Sequence, residues 1–71
     1  MATKKSSIQI AKRLKQSRSS QNLTQAALAK KAGISTNYYA RIERGDTGIS
    51  VAILESLVRA LKVKSSDILP F

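Results

Sequence analysis

The sequence predicts an all-α fold, a compact five-helix bundle that forms a single domain over residues 8–71. Apolar residues recur at spacings of three and four, which places them on one face of successive helices. Ser or Thr stands directly before three of these segments, where its side chain can cap a helix N-terminus. These caps are Thr24, Ser35 and Ser50. A chain of 71 residues, 42% of them hydrophobic, supports one core.

The N-terminal part is predicted to be a flexible basic arm, residues 1–7, followed by helix 1 at about Ile8 to Ser19. Ile10, Leu14 and Arg18 are four residues apart and therefore share one face of this helix. Arg18 is thus a cation at the edge of a core-facing stripe, and an unpaired buried charge is costly. We therefore expect an acidic partner for it from elsewhere in the chain.

Residues 24–44 have the pattern of two helices joined by a tight turn. Helix 2 is predicted over Gln25–Ala32 and helix 3 over Thr36–Arg44. Gly33 lies between them and is predicted to adopt a positive φ. A short turn containing glycine between two helices is the helix-turn-helix pattern, whose second helix enters the DNA major groove. The pattern predicts that this segment binds duplex DNA.

Helix 3 divides into two faces on a helical wheel. Tyr39, Ile42 and Glu43 fall on the side toward the core, and Glu43 is the predicted partner of Arg18 in a salt bridge. The opposite side carries polar residues and one small apolar residue suited to a groove or a thymine methyl. Its members are Thr36, Asn37, Ala40, Arg41 and Arg44. We expect this face to contact base edges, with a phosphate contact equally open for Arg44.

The C-terminal part predicts helix 4 at about Val51 to Lys62 and a short helix 5 at about Asp67 to Leu69. Ile68, Leu69 and Phe71 are a large apolar surface for the end of a small chain. They could close the domain's own core or form a dimer interface. We assign all three to a candidate interface, Leu69 and Phe71 foremost. The second helix of the motif, the recognition helix, reads one half-site in each of two copies, and the half-sites lie about 34–36 Å apart. This geometry favours a two-fold homodimer.

Charge favours a polyanionic partner. Thirteen Lys and Arg face four Asp and Glu, giving a formal net charge of +9, and no acid precedes Glu43. Nucleic acid is the first candidate partner and an anionic membrane surface the second. We favour double-stranded DNA and no membrane partner. A basic amphipathic membrane-surface binder is the alternative from a different class, but the capped helices and glycine turn would then be coincidental.

Other classes of function have little support in the composition. The sequence contains neither Cys nor His, which excludes disulfides and thiolate metal sites. Its four carboxylates are scattered along the chain, so we expect no enzyme activity, no metal and no cofactor. No apolar run reaches the roughly 20 residues of a membrane span, and we expect a cytoplasmic protein.

Several of these residues together resemble a known family. They match the signature Q-x-x-L-A-x-x-x-G-[IV]-S…[IW]-E-x-G of the phage repressor and Cro superfamily. The matching residues are Gln25, Leu28-Ala29, Gly33-Ile34-Ser35, Ile42-Glu43 and Gly45. The likeness extends over about residues 10–69. The small size, the Ser50 cap and the ALKVKSSDIL ending further resemble the controller proteins of restriction–modification systems.

The resemblance implies a lambda-repressor-like DNA-binding domain acting as a sequence-specific transcriptional regulator. Such a regulator is a homodimer on a palindromic operator, in the cytoplasm of a bacterium or in a phage system, associated with the nucleoid. It acts by blocking or by recruiting RNA polymerase, and the sequence favours neither. An antitoxin-like regulator or a phage-type repressor is the alternative within this class.

The resemblance also implies roles for individual residues. Thr36, Asn37 and Arg41 match base-reading positions, while Arg18 and Glu43 match a pair that is often structural. The positions expected to contact phosphate are Thr24, Gln25, Ser35 and Tyr38. The chain departs from the family at Tyr39, where Val or Ile is usual. A phenol at this position must find a hydrogen-bond partner or reach the surface.

Overall fold

The structure, a computed structural model, describes the backbone of residues 4–69 and the side chains of residues 7–69. This part of the chain folds into five α-helices and contains no strand, as the sequence predicted. The helices are α1 (Lys4–Ser20), α2 (Gln25–Ala32), α3 (Thr36–Arg44), α4 (Val51–Leu61) and α5 (Ser65–Ile68).

Helix α1 begins at Lys4 rather than at about Ile8, so residues 4–7 of the predicted arm belong to the helix. Residues 1–3 of that arm lie outside the described residues. The first turns of α1 run past the end of α3, where a Cβ placed on Gly45 would lie 3.2 Å from Ile8 Cγ1. Ile10, Leu14 and also Ala11 are buried.

The bounds of α2 and α3 are those that the sequence predicted, because local signals define both ends. The Ala27 N–H donates to Thr24 Oγ1 at 3.0 Å, which caps α2. Gly33 ends this helix in the left-handed region with φ 75°, and the chain re-enters a helix two residues later. The Tyr38 N–H donates to Ser35 Oγ at 3.0 Å, which caps α3.

The C-terminal helices differ slightly from their predicted bounds. Helix α4 ends at Leu61 because Lys62 adopts a left-handed conformation with φ 57° and closes the helix. Helix α5 ends at Ile68, one residue earlier than predicted. It begins at Ser65, two residues earlier than predicted, and Asp67 Oδ2 in its first turn accepts a hydrogen bond from the Lys64 N–H at 3.0 Å.

The core lies where all five helices meet. Helix α1 packs against α3 and α5, while α2 packs against α3 and α4. The main packing partners of α4 are α2 and α5. The buried cluster consists of Ile10, Leu14, Leu28, Ala29, Tyr39, Ile42, Leu57, Leu61 and Ile68. This arrangement holds α3 from behind and leaves its far side to solvent.

The candidate dimer interface requires a correction at Ile68. Its side chain is 0% exposed and belongs to the core of its own chain, because α5 closes the end of the bundle against α1 and α4. Leu69 is half-buried against the same core, and Phe71 lies outside the described residues. Of the three predicted interface residues, Leu69 is therefore the one with described surface for a partner. Among the described helices, none has the length and apolar character needed to cross a membrane.

Candidate nucleic-acid interface

The side of α3 that the helical wheel assigned to base reading lies on the surface. Thr36, Asn37, Arg41 and Arg44 are exposed, and Ala40 is half-buried. The helix is held in place at both ends, by the Ser35 cap and by Gly45, whose φ of 74° closes the C-terminus. A rigid helix therefore presents two guanidinium groups and an amide to solvent.

Five of the predicted DNA-contacting residues surround an open concavity of about 470 Å³. They are Ser35, Asn37, Tyr38, Arg41 and Arg44. No acidic residue lines it, and its polar groups are mainly hydrogen-bond donors. The guanidinium fork of Arg matches the O6 and N7 acceptors of guanine, and the Asn amide matches the edge of adenine. The concavity is therefore suited to the edge of a base pair in a groove.

The other predicted contacts do not line this concavity. Thr36 and Ala40 belong to the same helix but are not part of its lining. Thr24 and Gln25 are at the N-terminus of α2, outside the concavity. The Thr24 and Ser35 hydroxyl groups already accept hydrogen bonds from their own helices, and each retains an O–H that can donate. Exposed helix N-termini also carry free N–H groups that favour anions.

Arg44 has an intramolecular partner that the sequence analysis missed. Its Nε donates to Asp46 Oδ2 at 2.8 Å, and the two side chains are 61% and 54% exposed. An exposed ion pair of this kind contributes about 0–1 kcal/mol to stability. The signal in the sequence was Gly45, because a glycine after the last helical residue turns the following residue back toward the helix.

The predicted salt bridge between Arg18 and Glu43 is present and forms the centre of a network. Arg18 Nε donates to Glu43 Oε2 at 2.6 Å, and the side chains are 13% and 4% exposed. Arg18 Nη2 donates to Oε1 of the same carboxylate at 3.2 Å. Arg18 Nη1 donates to the Leu23 carbonyl at 2.6 Å. The guanidinium thus donates hydrogen bonds both to the acid on α3 and to a backbone carbonyl of the loop that leads into α2.

Gln25 joins the same carboxylate from α2. Its Nε2 donates to Glu43 Oε1 at 3.0 Å, so side chains of α1, α2 and α3 meet at one acidic group. Gln25 braces α3 in this way, and its contact with a phosphate stays a prediction. Burial alone would raise the pKa of Glu43, but interactions with its neighbours, the hydrogen bond from Arg18 foremost, outweigh burial and lower that pKa. The acid is therefore ionised at neutral pH.

Tyr39 lies next to this network. The residue is 0% exposed, and its hydroxyl oxygen is buried without a hydrogen-bond partner of acceptable geometry among the described residues. The phenol therefore does not reach the surface, and the neighbouring Glu43 carboxylate is the candidate partner of its hydroxyl. Burial, followed by the nearby Glu43 carboxylate, raises the pKa of Tyr39. The phenol is therefore neutral, and the ring fills the space under α3 where an aliphatic side chain was expected.

Comparison with known proteins places this geometry in a family. The family described as Helix-turn-helix (HTH_3) matches residues 14–68. A search of curated proteins finds no match. Among solved structures, the restriction-modification controller protein C.AhdI from Aeromonas hydrophila superimposes with a TM-score of 0.86 at 25% sequence identity. The match covers 89% of this chain and 96% of that protein.

Two further regulators have the same fold. An HTH_3 family transcriptional regulator from Vibrio cholerae matches with a TM-score of 0.87 and 31% identity over 92% of this chain. The match covers only 36% of the length of that regulator. The clp gene regulator ClgR from Corynebacterium glutamicum matches with a TM-score of 0.84 and 26% identity, over 87% of this chain and 66% of that one.

Proposed function

We propose a function for this chain on the premise that it belongs to the helix-turn-helix family of DNA-binding transcription regulators, matched over residues 14–68. The chain acts as a sequence-specific regulator that binds a palindromic operator as a homodimer, with α3 in the major groove. The observation that carries this proposal is the exposed donor-rich side of α3 around its concavity. The likeness to C.AhdI over 96% of that protein supports control of a restriction–modification system as the specific role.

The base contacts come from the exposed side of α3. Arg41 donates to guanine and Asn37 pairs with adenine, each contact contributing about 1–3 kcal/mol of discrimination. Thr36 and Ala40 lie against the neighbouring base edges. The backbone contacts that set the register of the helix are made by Thr24, Gln25, Ser35 and Tyr38.

A dimer supplies the length of sequence that one helix cannot read. One recognition helix contacts a few base pairs, and two copies related by a two-fold axis contact two half-sites about one helical turn apart. Leu69 and Phe71 are the proposed interface residues at the C-terminal end. RNA polymerase is the proposed further partner, which the bound dimer blocks or recruits.

The alternative of a membrane-surface binder has little support in the packing. An amphipathic helix binds a membrane through an exposed apolar face. The apolar residues Ile10, Ala11 and Leu14 of α1 are instead buried in the core. The remaining cations of α1 then suit a polyanion in solution better than a lipid surface.

Selection of bound duplexes from a random pool tests the proposal. We expect one palindromic motif, bound roughly 10³-fold or more tightly than random DNA at physiological salt. Arg41→Ala should relax preference at one position of each half-site. Arg59→Ala is the matched control, because Arg59 is an exposed arginine on α4, a helix that packs mainly against α2 and α5. Equal affinity of the wild-type protein for all duplexes would overturn the proposal.

A further inference from the structure

The geometry at the end of α3 points to a specificity role for Asp46, and this inference rests on the function proposed above. We propose that Asp46 is a positioning residue that holds the Arg44 guanidinium toward a guanine base and away from phosphate. Arg44 is then a base-reading residue, and Asp46 determines specificity through it without touching DNA.

The position of Asp46 is fixed by the backbone at the C-terminus of α3. The Gly45 N–H donates to the Ile42 carbonyl and the Asp46 N–H donates to the Arg41 carbonyl, both at 3.0 Å. These two bonds, with Gly45 in the left-handed region at φ 74°, form a Schellman-type helix end. A Cβ on Gly45 would approach Ile8 of α1 to 3.2 Å, so this helix end is also packed against α1. The carboxylate is therefore attached to the recognition helix through a rigid turn.

The hydrogen bond to Asp46 leaves a defined part of Arg44 available. The bond uses Arg44 Nε, at 2.8 Å from Asp46 Oδ2. Among the described residues, neither Nη group of Arg44 has a hydrogen-bond partner, and the side chain lines the concavity with Asn37 and Arg41. The two Nη groups form the end of the guanidinium fork. They are the donors that contact guanine O6 and N7 in an end-on bidentate pair.

The charge of Asp46 discriminates between a base and a phosphate. A phosphate at the Nη groups would lie a few ångströms from the Asp46 carboxylate, and like charges at that separation repel. The guanine edge is neutral and presents acceptors, so the carboxylate does not oppose it. Helix stability gives no reason for an acid here, since a negative charge is unfavourable at a helix C-terminus.

The experiment measures binding of the full chain to its selected operator and to duplexes with each single base substitution. Asp46→Ala removes the acceptor, and Arg44→Ala removes the proposed reader. We expect Arg44→Ala to abolish the roughly 5- to 150-fold preference that a bidentate contact provides at one base pair per half-site. Asp46→Ala should lower the preference at that same base pair by about 2- to 12-fold, the cost of ordering one long side chain. In the Arg44→Ala background, Asp46→Ala should leave the preference profile unchanged.

Asp46→Ala also removes a negative charge near the DNA, which raises the affinity for every duplex. This uniform increase cancels in the ratio of the affinities for two bases at the same position. Glu55→Gln is the matched control for charge, because Glu55 is an exposed acid on α4. If Asp46→Ala lowers stability, Asp46→Asn keeps an acceptor without the charge and should give a smaller loss at the same base pair. Tighter binding to all duplexes with an unchanged base preference would overturn the role of Asp46 alone. A wild-type protein that shows no base preference would overturn the proposed function as well.

Discussion

Replacing Glu43 with glutamine should destabilise the fold strongly, since it removes the charge on which α1, α2 and α3 converge. The carboxylate receives hydrogen bonds from Arg18 at 2.6 and 3.2 Å and from Gln25 at 3.0 Å. The amide that replaces it has a single acceptor oxygen for these donors, and Arg18, only 13% exposed, loses its counter-ion.

The expected loss follows from the burial of the pair. Breaking a buried ion pair by removing one partner costs about 3–5 kcal/mol. Arg18 retains its bond to the Leu23 carbonyl and some solvent, and the introduced amide still accepts one hydrogen bond. We therefore expect a loss of about 2–3 kcal/mol in the free energy of unfolding, a large part of the stability of a small domain. The melting temperature should fall by roughly 8–24 °C.

Urea denaturation followed by circular dichroism measures this loss at neutral pH. Glu55→Gln, at an exposed acid on α4, is the control and should change stability by no more than about 0.5 kcal/mol. The base preference of the Glu43→Gln variant should survive at temperatures where it remains folded, because Glu43 lies on the core side of α3. A change in stability no larger than that of the control would refute the network as a source of stability. A changed base preference with unchanged stability would assign Glu43 to the DNA-contacting surface instead.

Three further measurements test other parts of the structure. The pKa of Glu43 is lowered in the folded state. The ionised carboxylate therefore stabilises the fold above the unfolded pKa of about 4.3, and this stabilisation is lost as pH falls through the folded pKa. An acid titration of the free energy of unfolding should show this loss, and Glu43→Gln should remove it. Tyr39→Phe removes a buried hydroxyl without a partner and should raise the free energy of unfolding by about 1 kcal/mol, whereas a loss would indicate that the hydroxyl is satisfied in solution. Gly45→Ala should lower the stability of the fold more than Gly33→Ala does. Both glycines have φ near +75°, but only at Gly45 does a Cβ meet a neighbour, at 3.2 Å. Equal losses of stability in thermal unfolding would contradict that contact.

The helix-turn-helix segment was predictable because its signals are local. Thr24 and Ser35 mark the starts of α2 and α3, and Gly33 marks the turn between them, so both helices have their predicted bounds. The pairing of Arg18 with Glu43 could also be inferred, since a cation on an inward face needs an acid and few acids are available. Each of these features could be predicted because the capping residues, the turn glycine and the inward face of each helix are visible in the local sequence.

The errors concern features that depend on contacts between elements. The start of α1 at Lys4 precedes Ile8, the first apolar residue of the helix, so no apolar periodicity marks it. Ile68 has the same hydropathy whether it faces its own core or a second copy, and only the packing of α5 decides between them. Asp46 was missed because its approach to Arg44 depends on a left-handed residue between them. Tyr39 could be identified as unusual, but the sequence could not tell how its hydroxyl would be accommodated.

The convergence of three helices on the Glu43 carboxylate has a consequence for the energetics of DNA binding. With side chains of α1 and α2 fixed to it from behind, α3 has little freedom to tilt when it meets a groove. In the proposed dimer each reading helix would then move only together with its own subunit, and a mismatch with the operator would be accommodated at the dimer interface or by bending or twisting of the duplex. Because the cost of such deformation depends on base sequence, the base pairs between the half-sites should influence affinity although no side chain touches them.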